Sequence, residues 1–391
     1  MLTLGATLRD TKTPQLLAVA MNPDESYALV AVVKRTYAFA SEPAPKLTLS
    51  DEQVPIRTLP DLDLHTKEYR DDVDALPPKG ATDVVVMGTA HARTPTREIL
   101  IAVAAGNIAR QLRVTGERRA HVGADGAVRF SAAEPFELLE LEDRAAYGGY
   151  DEDAQDALDP LPADLRVQLA GNKPPALYAY ARNPVGRAYF IDHERRRADG
   201  ALLPRVEDPG DPLTPDRFFV PRAEAWIDAP IPGRLGWVHP ARYPRLGRIA
   251  GGLLSSDAPT RPIRESTLGD GDDLPALRER APSSRPHPRF LQGAAPGLAA
   301  ERLRGDELCI LKNLHRAEAE LRFSLPGEAP RASIRPPGLK ALTPSFVLNT
   351  LRFEPDQSRV SLTWVAAVPS AGPASRDYLR SMALELTWAK L

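Results

Sequence analysis

Proline is the feature that most constrains what this chain can fold into. The chain has 391 residues and contains 39 prolines, about twice the usual share of ~5%. Because proline lacks a backbone N–H and fixes φ, it interrupts helices and is confined to edge strands and turns. The apolar fraction of 43% is nevertheless that of a globular protein with a sizeable core. We therefore predict a mainly β fold with many turns and few short helices.

The composition divides the chain into three segments. Residues 1–149 and 301–391 contain β-like apolar runs, whereas residues 150–300 are rich in proline, acidic residues and turn signals. We predict antiparallel β-sandwich-like blocks at both ends and an irregular, proline-rich middle. A single composite domain is the alternative, because nothing in the sequence shows whether the two blocks pack separately.

The individual strand predictions rest on runs rich in Val, Ile, Tyr, Phe and Thr that turn residues bound. Gly106-Asn107, the G-A-D-G turn at 123–126 and residues 354–357 predict hairpin turns between such runs. The main predicted strands cover residues 27–39, 83–88, 97–105, 108–116, 307–313, 318–324, 346–353, 360–366 and 382–388.

Charge, cysteine content and hydropathy narrow the function classes. There are 50 Lys and Arg against 52 Asp and Glu, a balance that argues against a general nucleic-acid binder. The single cysteine, Cys309, cannot form an intramolecular disulfide, which favours a reducing compartment. The start lacks signal-peptide character, and no apolar run approaches the ~20 residues that span a bilayer. We expect a cytoplasmic protein without membrane or nucleic-acid partners.

Two sequence patterns resemble metal sites. Asp61, Asp63 and His65 would share one face of a strand and offer three ligands. The alternating Leu62 and Leu64 favour a simpler interpretation, an exposed strand face above a buried one. The G-D-G-D-D stretch at 269–273 resembles the start of a calcium loop, but the bidentate Glu expected at its end is missing. We therefore predict no metal and no cofactor.

Candidate catalytic groups are equally weak. Asp192, His193 and Glu194 precede three arginines, and this pattern favours a solvated charged turn over an acid–base site. Cys309 lies between Leu308 and Ile310 in a predicted strand, which favours a buried structural thiol over a nucleophile. Motifs for serine hydrolases, zinc proteases and phosphate-binding loops are absent from the sequence. We predict that the protein is not an enzyme, although scattered residues could still assemble a site.

Two glycine-containing clusters have the most demanding backbone. Paired glycines permit positive φ or close backbone approach, and Asn-Pro followed by Gly predicts a turn. The clusters could form a binding surface, or the glycines could turn a corner in front of a tyrosine that fills the core. Their candidate binding residues are Tyr147, Gly148, Gly149, Asn183, Pro184, Gly186 and Arg187.

The middle segment offers candidate interface anchors. Tryptophan, tyrosine and arginine are the residue types that dominate the energetics of protein interfaces. Between prolines, this segment contains Trp226, Trp237, Arg242 and Tyr243. We predict that these four residues contact a protein partner.

A longer set of motifs resembles a known family. R-A-A-Y-G-G at 144–149, N-P-V-G-R at 183–187 and L-P-R-V-E-D-P at 203–209 are similar to a bacterial uncharacterised-domain family encoded beside type VI secretion effectors. The other matching motifs, in chain order, are V-V-K-R-T-Y (32–37), P-K-G-A-T-D-V-V-V-M-G (78–88), V-T-G-E-R (114–118), L-R-G-D-E-L (303–308), L-K-N-L-H (311–315), F-S-L-P-G (323–327), L-N-T-L-R-F-E-P-D (348–356) and the tryptophan Trp364.

The resemblance implies a non-catalytic cytoplasmic adaptor or chaperone. Such a protein would bind a secreted effector or its PAAR-type tip and promote loading onto the VgrG spike. Two other function classes stay open. One is a hydrolase or carbohydrate-active enzyme on a β scaffold, which would need a carboxylate pair in a cleft or a metal cluster. The other is a structural component of the secretion apparatus, which would self-associate.

Overall fold

The structure is a computed structural model that describes residues 2–7, 13–21, 27–40, 46–63, 68–158, 178–240, 242, 291–370 and 372–391. The predicted mainly β fold is confirmed, with several sheets and two short α-helices in these residues. The predicted strands are also confirmed, each to within a few residues at its ends. None of the helices in the described ranges is long and apolar enough to cross a membrane.

The first half of the chain contributes most of the strands. In chain order they are β1 (Leu2–Thr7), β2 (Gln15–Met21), β3 (Tyr27–Ala40), β4 (Lys46–Leu49), β5 (Asp61–Leu62), β6 (Tyr69–Asp71), β7 (Thr82–Val86), β8 (Thr89–Thr96), β9 (Glu98–Ala105), β10 (Ile108–Thr115), β11 (Ala120–Val122), β12 (Val128–Phe130), β13 (Phe136–Glu140) and β14 (Tyr147–Gly148).

The remaining elements are shorter in the middle of the chain and long again near its end. The strands are β15 (Arg187–Ala188), β16 (Phe190–Ile191), β17 (Val206–Glu207), β18 (Phe219–Val220), β19 (Ala299–Ala300), β20 (Leu308–Lys312), β21 (Glu320–Ser324), β22 (Glu328–Arg335), β23 (Val347–Glu354), β24 (Arg359–Ser370) and β25 (Ala383–Lys390). The helices are α1 (Glu152–Leu158) and α2 (Arg376–Ser381), with 3₁₀ turns at Asp143–Ala145, Arg195–Ala198, Pro215–Arg217, Ala223–Asp228 and Pro355–Gln357.

The larger sheet joins the two ends of the chain. It has eight strands in the order β1-β2-β3-β24-β23-β7-β19, and β4 also pairs with β3. β3 and β24 are antiparallel along twelve paired positions. β23 instead runs parallel to β7, from Thr350 opposite Asp83 to Phe353 opposite Val86. The sheet therefore crosses the predicted segment boundaries at 149 and 300, and those boundaries stay a prediction from composition.

The second sheet packs on the first and closes a β-sandwich. Its five strands have the order β17-β10-β9-β20-β21. Inward-facing residues of both sheets share one buried cluster, which includes Ile101 and Leu311 from this sheet and Leu351 and Leu362 from the larger one. The ring of Phe323 meets that of Phe353 edge-on at 6.0 Å between centroids. Strands β9 and β20 of the second sheet alternate between buried and more exposed side chains, because only one face of this sheet packs on the core. The central strands β7 and β23 of the larger sheet are instead buried at nearly every position.

The two-stranded sheet of β22 and β25, whose strands are far apart in the sequence, packs against the larger sheet. Arg35 of β3 stacks on Trp388 of β25, with its guanidinium 3.6 Å from the ring centroid. The same arginine is ion-paired with Glu328 at 2.6 Å, and Tyr37 donates to that carboxylate at 2.8 Å. Burial and this hydrogen bond raise the pKa of Tyr37. A charged cluster therefore attaches the two-stranded sheet of β22 and β25 to the larger sheet.

A second region has its own core and few regular strands. We call residues 118–158 and 178–229 the turn-rich region. Its buried cluster is built around Tyr147, Tyr180, Tyr189 and Phe218. Tyr180 and Tyr189 stack at 5.2 Å between ring centroids, and Tyr147 meets Tyr180 edge-on at the same distance. Most strands here have two or three residues, so aromatic packing replaces long ladders.

Candidate functional site

The glycine corner is formed by three glycines that pack against one turn. Gly148 and Gly149 have φ of +150° and +125°, a region that residues with a side chain rarely adopt. A Cβ atom at Gly148 would overlap the backbone oxygen of Asn183. A Cβ atom at Gly186 would lie 2.5 Å from Asn183 Nδ2 and 2.6 Å from the Ala146 oxygen. The glycines are therefore required by close backbone approach.

Asn183 joins the two sides of this corner. Its buried Nδ2 donates to the backbone oxygens of Asp143 at 2.8 Å and Tyr147 at 3.0 Å. Tyr147 itself is 1% exposed and belongs to the aromatic core. The prediction that Tyr147 and Asn183 contact a partner is corrected, because both are enclosed by their own chain. Pro184, Gly186 and Arg187 are half-buried and stay candidates for contact.

The predicted interface anchors of the middle segment differ in how far they are buried. Trp237 is only 4% exposed, and its Nε1–H donates to Asp71 at 3.0 Å. Arg242 is 7% exposed and ion-paired with Asp143 at 2.7 Å. The prediction that these two contact a partner is therefore wrong, because each completes a buried hydrogen-bond network. Trp226 is half-buried beside Arg182, and Tyr243 lies outside the described residues.

A solvent-open cleft of about 440 Å³ at one end of the sandwich is lined by many charged side chains. It lies where the parallel strands β7 and β23 end, since Met87 and Gly88 follow β7 and Asp356 follows β23. Its carboxylates are Asp61, Glu68, Asp71, Glu140, Glu142, Asp143, Glu354 and Asp356, and its arginines are Arg57, Arg70, Arg234, Arg352 and Arg359.

One wall of the cleft is a chain of buried ion pairs. Asp71 is bonded to both Arg57 and Arg352. Glu354 accepts hydrogen bonds from Arg352 at 2.9 Å and from Arg359 at 2.8 Å. Burial opposes ionisation of Glu354, but the hydrogen bond from Arg359 and the charges of both arginines lower its pKa. The arginines therefore favour the charged form of Glu354 and hold both carboxylates in place.

The opposite wall connects the cleft to the glycine corner. Asp143 is ion-paired with Arg234 at 2.9 Å and with Arg242 at 2.7 Å. Its backbone N–H and that of Arg144 donate to the Glu68 carboxylate at 3.2 and 2.9 Å. Burial of Glu68, with the negative charge of Asp143, raises the pKa of Glu68 to about 7. Glu68 therefore changes charge near neutral pH.

Sequence reasoning missed this cleft, apart from Asp61 and Trp237. Its charged residues come from five separated stretches of the chain, and no local spacing brings them together. At its rim, His91 Nε2 lies 2.9 Å from Asp356 Oδ1, although the two residues are 265 positions apart. The usable signal was the E-P-D turn after a predicted strand, because loops at strand ends often carry function.

The predicted acid–base pattern forms a charged turn at the surface. Among the residues that the structure describes, no group of three His, Cys, Asp or Glu side chains could hold a metal ion. His65 and residues 269–273 of the two predicted metal patterns lie outside those residues. Asp192 is ion-paired with Arg195 at 2.6 Å, and this hydrogen bond lowers the pKa of Asp192. The predicted charged turn is confirmed.

Cys309 is the buried structural thiol that its position predicts. The side chain is fully enclosed in the sandwich core. Desolvation, with the nearby charge of Glu307, raises the pKa of Cys309 to about 12. A thiol that stays protonated and inaccessible is neither a nucleophile nor a metal ligand.

Comparison with known proteins identifies a family for this chain. A family model described as an uncharacterized protein conserved in bacteria (DUF2169) matches residues 24–365. Curated proteins and solved structures give no match. The resemblance drawn from the motifs is confirmed as far as an uncharacterised bacterial family, and its association with type VI secretion stays a prediction. The chain belongs to the DUF2169 family.

Proposed function

We propose that this protein is a non-catalytic adaptor that binds another polypeptide in the cytoplasm. Its cargo is a type VI secretion effector or a PAAR-type tip protein, which it helps to load onto the VgrG spike. The motifs that run from residue 32 to Trp364 support this assignment, because they resemble a family encoded beside such effectors.

The observation that carries the proposal is the state of the cleft's buried carboxylates. Asp71, Asp143 and Glu354 are each bonded to two arginines. A carboxylate whose oxygens are bonded to two arginines has few free lone pairs with which to accept a proton or attack a substrate. Such paired charges suit recognition of a charged surface better than proton transfer.

The cleft also indicates the chemistry of the cargo. Eight carboxylates line it against five arginines, so the described lining has an excess of negative charge. The side chain of Glu140 is exposed at the end of β13. Partial desolvation of its carboxyl group and the negative charge of the neighbouring Glu142 raise the pKa of Glu140. A Lys or Arg side chain of the cargo would relieve this crowding of like charges. We expect a basic segment of the cargo to occupy the cleft.

The test uses two charge reversals on one strand. Glu140→Lys changes a carboxylate in the cleft, and Glu137→Lys changes an exposed carboxylate on the same strand outside it. Both variants are co-purified with the effector and the PAAR protein encoded beside the gene. We expect Glu140→Lys to weaken binding at least tenfold and Glu137→Lys to bind like the wild type. Equal binding of the cargo by the wild type, Glu140→Lys and Glu137→Lys would show that the cleft is not the binding site.

A genetic experiment tests the adaptor role separately from the cleft. Deleting the gene should abolish delivery of the neighbouring effector while spike assembly and delivery of other effectors continue. A strain that still secretes that effector normally would contradict the adaptor role.

A second candidate function is a hydrolase or carbohydrate-active enzyme on the β scaffold. Glu68 favours it, since a carboxylic acid with a pKa of about 7 inside a cleft has the properties of a general acid or base. Assays of the purified protein on glycosides and esters would test this function. Turnover that Glu68→Gln abolishes, with a pH profile that breaks near pH 7 in the wild type, would replace the adaptor proposal.

A further inference from the structure

β25 is the last strand of the chain and has one neighbour in the described structure. It pairs with β22 in an unbroken antiparallel register, from Ala383 opposite Arg335 to Lys390 opposite Glu328. Along β25 the side chains alternate between exposed and half-buried for most of its length. The larger half-buried side chains, Leu384, Leu386 and Trp388, pack against the cores beneath the β22–β25 pair.

The phase of the backbone hydrogen bonds shows which groups of β25 face away from β22. The N–H of Leu391 donates to the oxygen of Gly327 on the β22 side at 3.0 Å. Because bonded pairs recur at every second residue, the odd-numbered residues of β25 bond β22. On β22, Ile334 bonds Leu342 on its outer side, which agrees with this phase. The N–H and C=O of Leu384, Leu386 and Trp388 therefore point along the open edge.

Several other strand edges in the described ranges carry features that disfavour pairing. β17 and β19 have only two residues each, and β21 exposes Glu320 and Arg322. β1 has a register shift and packs against α2. The outer edge of β22 contains Pro330, which has no N–H to donate. β25 has eight residues, no proline and no register shift, which is the kind of edge that pairs with another strand.

We propose that β25 pairs antiparallel with β25 of a second copy of this chain, around a two-fold axis at Leu386. In this register Leu384 faces Trp388 of the copy, and Leu386 faces its own copy. On the exposed side, Glu385 faces Thr387. The pairing joins two β22–β25 pairs into one four-stranded sheet, with about six new backbone hydrogen bonds between the central strands.

Neighbouring two-fold registers are less favourable. Shifting the axis to Glu385 places this glutamate opposite its own copy, and like charges directly opposite each other destabilise a strand pair. Shifting the axis to Thr387 places Leu384 opposite Lys390. Only the axis at Leu386 pairs every half-buried apolar side chain of β25 with another apolar one.

The proposed contact is a closed dimer and does not depend on the adaptor function. A two-fold interface uses the same surface on both copies, so it ends at two chains and builds no ring or tube. The cleft lies among the loops at the ends of β7 and β23, and no residue of β25 lines it. A monomeric protein could still bind cargo, and a dimeric protein could fail to do so.

Sedimentation velocity of the full chain over a range of concentrations tests the proposal directly. We expect a reversible monomer–dimer equilibrium. Hydrogen exchange should show that the amides of Leu384, Leu386 and Trp388 become protected only at concentrations where the dimer forms. A protein that stays monomeric at the highest concentration would overturn the proposal, whatever other strand this edge accepts.

Three variants test the register. Thr387→Glu places a carboxylate opposite Glu385 twice across the axis and should weaken dimerisation about tenfold, whereas the neutral control Thr387→Gln should have little effect. Adding Glu385→Lys to Thr387→Glu should restore the dimer, because each new carboxylate then faces an ammonium group. A dimer that is unchanged by Thr387→Glu, or that the second change does not restore, would overturn this pairing.

Discussion

The sandwich and the turn-rich region bury similar apolar side chains but satisfy their backbone polar groups in different ways. In the sandwich, long ladders such as β3 with β24 bond most of the backbone. In the turn-rich region, individual side chains form the hydrogen bonds with the backbone groups. Asn183 bonds two backbone oxygens, and Asp151 accepts from the backbone N–H groups of Ala154 and Ile191 as well as from Arg197.

This difference predicts where each region is sensitive to mutation. A ladder distributes its hydrogen bonds over many residues, so no single side chain is indispensable to it. A buried backbone group that depends on one side chain is left unsatisfied when that side chain is removed, at a cost of about 1–3 kcal/mol per group. We therefore expect substitutions at a few residues of the turn-rich region to lower the free energy of unfolding strongly. Most single substitutions in the strand ladders of the sandwich should lower it less.

The largest expected effect is at the glycine corner. Gly148→Ala should lower the free energy of unfolding by more than about 4 kcal/mol, because the new Cβ overlaps the Asn183 backbone. Gly200→Ala is the matched control, since Gly200 also has positive φ but has open space around it, and it should cost about 1 kcal/mol. Urea unfolding measures both. Equal costs would show that close packing at the corner does not matter.

The second-largest effect concerns Asn183, whose side chain bonds backbone groups that a strand ladder would bond in the sandwich. Asn183→Ala removes the donor to two buried oxygens and should cost about 3 kcal/mol in urea unfolding. Asn107 in the β9–β10 turn makes one bond at an exposed position, so Asn107→Ala should cost less than about 1 kcal/mol. If the sandwich turn proved the more sensitive, the comparison between the two regions would be wrong.

The third effect lies in the cleft, where both regions meet. The pKa of Glu68 is raised from 4.5 to about 7 in the folded protein. Between those values the folded protein binds more protons than the unfolded chain, so the contribution of Glu68 to stability falls as pH rises. This loss should be on the order of 2–3 kcal/mol between pH 4.5 and pH 8.

Urea unfolding of the wild type and Glu68→Gln across this pH range isolates that contribution. Glutamine cannot ionise, so the difference in stability between the two proteins should shift in favour of the variant as pH rises. Parallel stability profiles would contradict the raised pKa and would remove the main argument for the second candidate function.

The smallest effect is expected in the sandwich core. Cys309→Ala removes one sulfur from a strand that keeps its ladder, and it should cost about 1 kcal/mol. The native thiol should react with a thiol reagent only after denaturant is added, because the side chain is buried and protonated. Rapid labelling of the folded protein would show that this part of the core opens.

Much of the fold followed from local patterns. The strands at 27–39, 97–105 and 108–116 were predictable because each is a short run rich in strand-forming residues that turn signals bound, and the Gly106 turn joins two of them. The corner at Gly148 was also visible, since paired glycines signal unusual backbone. Whether that corner binds or supports could not be predicted, because burial of Tyr147 and Asn183 depends on residues far along the chain.

The cleft was beyond sequence reasoning for the same reason. Trp237 and Arg242 looked like exposed anchors among prolines, yet their partners Asp71 and Asp143 lie 166 and 99 residues away. The parallel pairing of β7 with β23 likewise joins positions about 270 residues apart, and it sets where the cleft opens.

The sequence by itself determined the β character of the chain, the places of its turns, the buried thiol and the membership of a bacterial family. Hydropathy alternation and backbone conformation are local properties, and a local pattern suffices to reveal them. Only the tertiary structure decided which acids meet which arginines, which aromatic residues are buried and which strand edge is left open. Those outcomes depend on contacts between distant segments, whose pairing no local pattern encodes.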